Sequence, residues 1–239
     1  MHNIDKKILK YLDCYYERNN FEIPDNLNIY VYKEKDFYSA IKNKSLEVFG
    51  YIQDIAEKKL IGFFIYNIKN NEYNIYILQE EKNINQEEII TLFHELTHIH
   101  TIPILPDKCN KNMYYGYDFW KEFIANYLAF YTMDTINTID YIENENKVKE
   151  QSEFLIKSMI KKNSLAALEE LIPLLLLTSY NIKEFLYSKY TPELINEIYS
   201  LKNLCYKTIN RENYREINNI NLEKIGKKVL TINRILQNY

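Results

Sequence analysis

Three of the chain's four histidines fall within seven residues, in the run His94-Glu95-Leu96-Thr97-His98-Ile99-His100. On a helix, positions four apart lie about 40° apart around the axis and one turn apart in height, so the imidazoles of His94 and His98 can reach one metal ion. Imidazole nitrogen suits Zn²⁺ at about 2.1 Å, and HExxH is the spacing that supplies two such ligands from one helix. Glu95, next to the first histidine, is then placed to hold and deprotonate a water beside the ion without binding the metal itself. His100 lies about 200° around from His98 on another face. It reads as a C-terminal helix residue favoured by the dipole.

Two histidines leave a catalytic zinc one protein ligand short, because such sites use three protein ligands and keep one position open. The segment FWKEFIANYLAF offers Glu122, 24 residues after His98, with Asn126 one turn further along the same face. A ligating imidazole needs a partner for its second nitrogen, and the amide oxygen of Asn126 can accept that N–H. Ala125 and Ala129 are small enough to let this segment approach the HELTH helix. Tyr114, Tyr115, Tyr117 and Tyr127 are near enough in sequence to offer a hydroxyl to an oxyanion, and Trp120 reads as core.

HELTH followed by EFIAN, read as Glu, two residues, Ala-Asn, resembles the zincin metallopeptidases of the gluzincin type, and among them the ImmA/IrrE-type peptidases. The resemblance covers about residues 25 to 135 in pattern. It implies zinc held by His94, His98 and Glu122, with Glu95 as general base and Asn126 as the orienting residue. It also implies hydrolysis of peptide bonds in a protein or peptide substrate. A zincin-fold protein that has lost catalysis and serves as a protein-binding module is the alternative, as is an effector acting on one host protein.

Those residues need elements to carry them. Apolar positions at Ile89, Leu92, Phe93, Leu96 and Ile99 recur at helical spacing and stop before Pro103, which predicts a helix over 86–101. Asp118 reads as the N-cap of a second helix that runs to about residue 134. Upstream, Ile4, Ile8, Leu12 and Tyr15 predict an opening helix. Leu27 to Lys33 reads as a strand and Phe37 to Phe49 as a short helix. Three β-rich runs, 48–56, 60–68 and 73–78, read as an antiparallel meander whose edge could hold an extended peptide. Helices are expected near 138–162, 165–187, 192–207 and 221–237. The expected class is therefore α+β: a zincin-like domain over 1–136 with a small antiparallel sheet over the HExxH helix, then a mainly helical region over 137–239 that completes or extends it.

The composition sets limits on the rest. With 239 residues and 46 % hydrophobic and 26 % charged side chains, the chain has the makings of a packed core and not of a disordered segment. Thirty basic against thirty-three acidic residues give a net charge of -3, short of the positive balance that nucleic-acid binding draws on. The 23 Tyr and 4 Gly fit AT-rich coding. Three scattered cysteines without CxxC spacing indicate neither a disulfide framework nor a thiolate zinc site. The charged N-terminus lacks a secretory pattern, and the longest apolar run, Leu171 to Leu177, is far shorter than the roughly 20 residues of a membrane span. A cytoplasmic location is expected, with neither nucleic acid nor membrane as partner.

Overall fold

A computed structural model of the chain describes residues 3–4, 8–48, 61–67, 69–79, 84–101, 109–136, 145–162, 170–177, 182–210, 213–214 and 217–239. The order is β1 (Asn3–Ile4), α1 (Leu9–Asn19), β2 (Leu27–Tyr32), α2 (Glu34–Val48), β3 (Gly62–Asn67), β4 (Glu72–Leu78), α3 (Gln86–Thr101), α4 (Lys111–Ile136), α5 (Glu145–Lys162), α6 (Leu171–Leu177), α7 (Lys183–Tyr187), α8 (Pro192–Thr208) and α9 (Asn219–Leu236). The class is α+β. The chain forms two compact units, one of Met1–His100 with Leu128–Thr138, the other of Thr101–Tyr127 with Ile139–Tyr239.

The first unit holds a sheet in the order β1-β2-β4-β3. β1 and β2 pair in parallel, as do β2 and β4, and only β3 runs antiparallel, to β4. The sheet is therefore mixed, which corrects the expected antiparallel meander. Alternating apolar residues establish that a segment is a strand, whereas the pairing direction depends on which segments meet across crossovers. Ile4, expected in the opening helix, belongs to β1, and α1 starts at Leu9. The run expected over 48–56 begins inside α2 with Val48. The rest of that run lies outside the described residues.

Period-two patterning gives the sheet two covered faces. Tyr30, Tyr32 and Tyr76 stack along one face, which packs with Ile65 and Leu78 onto Phe37 and Ile41 of α2. Between β2 and β4 the buried Asn28 donates from Nδ2 to Oδ1 of the buried Asn74 at 3.2 Å, in register across the strands. On the other face Gly62 meets Thr91 and Glu95 of α3. Tyr15 of α1 stacks on Phe93 of α3, with ring centroids 5.4 Å apart.

The second unit is helical. Among the described residues of the stretch expected over 165–187, Leu171–Leu177 form α6 and Lys183–Tyr187 form α7. In the N-terminal part of α4, Trp120, Phe123 and Ile124 are buried, as expected for Trp120. Gly116 of α4 and Gly226 of α9 form a reciprocal contact. A Cβ on Gly116 would lie 1.8 Å from the carbonyl oxygen of Leu222, and one on Gly226 would lie 1.8 Å from that of Asn112. Backbone meets backbone there, so only glycine fits. Helix α4 begins at Lys111, seven residues before the expected cap. Asn110 is the residue whose Oδ1 accepts from the N–H of Met113, at 2.9 Å, and Asp118 sits inside the helix, bonded to Lys121.

Candidate metal centre

Helix α3 starts at 86 because of a capping box. The Oδ1 of Asn85 accepts from the N–H of Glu88 at 2.9 Å, while a Glu88 carboxylate oxygen accepts from the N–H of Asn85 at 3.0 Å. Leu92, Phe93 and Leu96 bury one stripe of the helix. Thr97, with no exposed surface, bonds the carbonyl of Phe93 through Oγ1 at 2.7 Å and lies 2.7 Å from the hydroxyl of Tyr15. A hydroxyl has one proton, and Thr97 gives it to Phe93, so Tyr15 donates to Thr97. Helix α1 thus fixes the rotation of α3, and the opposite stripe presents His94, Glu95 and His98.

The Nε2 atoms of His94 and His98 lie 3.0 Å apart, with the rings nearly perpendicular and their centroids 4.7 Å apart. Two nitrogens bound to one zinc at about 2.1 Å and a tetrahedral angle would lie about 3.4 Å apart, so small side-chain movements accommodate an ion. His98 is only 9 % exposed. Together with Glu122 the pair forms a three-residue cluster whose ligand atoms all lie within 4.8 Å of one another. Two imidazoles and one carboxylate make a donor set that suits zinc and leaves a coordination position open. The residues present fit the ion.

Around Glu122 the charges are mixed. Lys121 Nζ is 3.8 Å from a Glu122 carboxylate oxygen and 2.8 Å from Asp118. Burial lowers the Lys121 pKa, but the bond and charge of Asp118, with Glu122 adding to them, hold it above the ordinary lysine value. The Asn126 side-chain nitrogen donates to the carbonyl of Glu122, one turn back, at 2.8 Å. That bond ties Asn126 to the turn carrying the carboxylate, and its amide oxygen is the end able to accept from an imidazole.

The remaining sequence candidates fall as follows. His100, in the last turn of α3, stacks on Phe21 at 4.5 Å and places Nε2 3.2 Å from the Tyr16 hydroxyl. Tyr114 is exposed, and Tyr127 packs among Phe123 and Tyr206. Burial pushes the Tyr117 hydroxyl up. Two residues that matter locally are not legible as such in the sequence: Tyr15, which reads only as an apolar position of the opening helix, and Gly62. Gly62 carried a signal, since it is one of four glycines and interrupts a β-rich run, where a glycine marks close backbone approach.

Comparison of the chain with protein-family models, curated proteins and solved structures finds no match. Among the described residues, no helix is long and apolar enough to cross a membrane.

Proposed function

We propose that the chain is a zinc-dependent peptidase in which His94, His98 and Glu122 hold the ion and Glu95 is the general base. The observation that carries this reading is the convergence of those three ligand atoms with Glu95 on the helix that supplies two of them. Zinc at such a site would supply a Lewis acid for the scissile carbonyl and would lower the pKa of the water it binds to about 7. Glu95 would take a proton from the attacking water as the water's oxygen bonds to the carbonyl carbon, and would give that proton to the amine nitrogen as the C–N bond breaks, leaving a carboxylate and an amine. Asn126, whose side-chain nitrogen donates to the Glu122 carbonyl, would have the role of orienting a ligating imidazole through its amide oxygen, leaving the ring's other nitrogen to the metal.

The sheet supports a peptide as the substrate. Among the described residues β3 has a partner on one side only. The N–H of Leu78 bonds the carbonyl of Ile61, which makes 61, 63 and 65 the residues that bond β4 and turns the N–H and C=O groups of Gly62, Phe64 and Tyr66 outward. An extended peptide can add to that edge, and its end at Gly62 lies beside Glu95.

Metal analysis of the purified chain is the first test, with one zinc per chain expected. Either His94→Ala or His98→Ala should abolish it, and full metal content in those variants would refute the ligand set. Glu95→Gln keeps volume and hydrogen bonding but cannot take the proton. It should retain zinc and the native melting temperature while hydrolysis of a peptide mixture drops by orders of magnitude. A physiological readout that persists unchanged in Glu95→Gln would favour the binding-module alternative.

A further inference from the structure

Gly62 stands where the edge strand meets the general base. A Cβ built on it would lie 2.3 Å from Cγ2 of Thr91, 3.0 Å from a carboxylate oxygen of Glu95 and 3.2 Å from Glu95 Cγ. The missing side chain is what lets the Glu95 carboxyl group lie against the β3 backbone. Gly62 also belongs to the set whose backbone groups point away from β4, together with Phe64 and Tyr66, and the side chains of those two fall on the same face as the missing one. Both are aromatic, Tyr66 is 38 % exposed, and each stacks on Tyr73, at 6.3 Å for Phe64 and 4.9 Å for Tyr66. The strand GFFIYN carries no charge and no proline, the devices that ordinarily keep an edge from pairing.

We infer that Gly62 is a positioning residue that holds Glu95 against the edge of β3 and sets the register of the substrate, an extended peptide with apolar side chains two and four residues from the one opposite Gly62. Those side chains lie across from Phe64 and Tyr66, where cross-strand aromatic and β-branched pairs are favoured. The residue opposite Gly62 meets no side chain from β3 and has the Glu95 carboxylate beside it. This inference rests on the peptidase reading.

The test uses the full chain and two labelled synthetic decapeptides, one with Val or Phe at alternate positions and the other with Asp or Lys there. Titrated into metal-free protein, the apolar peptide should bind at least ten-fold more tightly. With zinc it should be cut at one bond, mapped by mass spectrometry. Thr91→Ser removes the methyl group nearest to Gly62 and should change neither binding nor cleavage more than two-fold. The double variant Gly62→Ala with Thr91→Ser leaves Glu95 as the remaining tight contact. It should keep its melting temperature within a few degrees and its zinc content, while cleavage falls at least ten-fold or moves to another bond. Equal binding of the two peptides, or a folded double variant that cuts the same bond at the wild-type rate, overturns the inference. A wild-type chain that shows the binding preference yet cuts neither peptide overturns the peptidase reading instead.

Discussion

Helix α3, which carries His94, Glu95 and His98, is set by directional polar bonds: the Asn85–Glu88 box at its start and the Tyr15–Thr97–Phe93 chain in its middle. The N-terminal part of α4, which carries Glu122, is set by shape, with Gly116 against the backbone of Leu222 and Trp120 buried. A hydrogen bond fixes rotation and register but contributes only about 1 kcal/mol net. Backbone contact through glycine fixes the distance between two helices and tolerates no added atom. The two helices should therefore fail in different ways, α3 by losing geometry with little loss of stability and α4 by losing stability outright.

Gly116→Ala breaks the comparison most severely. Its Cβ would overlap a backbone carbonyl, which no rotamer change relieves, so a destabilisation of about 3 kcal/mol or more is expected. Denaturant melts check it, and a loss below about 1 kcal/mol would show that α9 yields easily. Asn126→Ala sharpens the contrast within α4, because that side chain bonds the Glu122 carbonyl and contributes little to packing. Zinc affinity should fall about 10- to 100-fold in a competition titration with a near-native melt. Asn85→Ala removes one half of the capping box and should cost about 1 kcal/mol, read as a small fall in denaturation midpoint. Tyr15→Phe should have the smallest effect on stability, about 0.5–1 kcal/mol, since Thr97 keeps its bond to Phe93 and is left with no orphaned donor. Zinc affinity should nonetheless drop measurably, and an unchanged affinity would mean that the imidazoles do not depend on α1.

What the sequence made legible follows the same division. The bounds of α3 could be read because a periodic apolar stripe, a capping residue and a downstream proline all act within a few residues of each other. The pair His94 and His98 needed only the pitch of a helix. Strand direction was not readable, because the parallel pairing of β2 with β4 joins segments some 45 residues apart through contacts that neither segment encodes alone. The start of α4 was misplaced for a related reason. Read locally, Gly116 just before Asp118 argues against a helix, yet the glycine is required by Leu222, more than a hundred residues away. Gly62 is not legible as a site residue because the atoms that exclude a side chain there, from Thr91 and Glu95, belong to α3.

The bond between Tyr15 and Thr97 also sets an angular tolerance. Metal-ligand distances must be right to about 0.2 Å, and side chains on a helix work at a radius of about 5–6 Å from its axis. At that radius 0.2 Å of arc corresponds to about 2° of rotation of α3 about its own axis. Apolar packing resists such a twist without the directionality of a hydrogen bond, whereas a buried hydroxyl pair at 2.7 Å behaves as a detent. Thr97 lies between Glu95 and His98 in sequence, so the stop acts within the same turn of the shaft whose angle it sets.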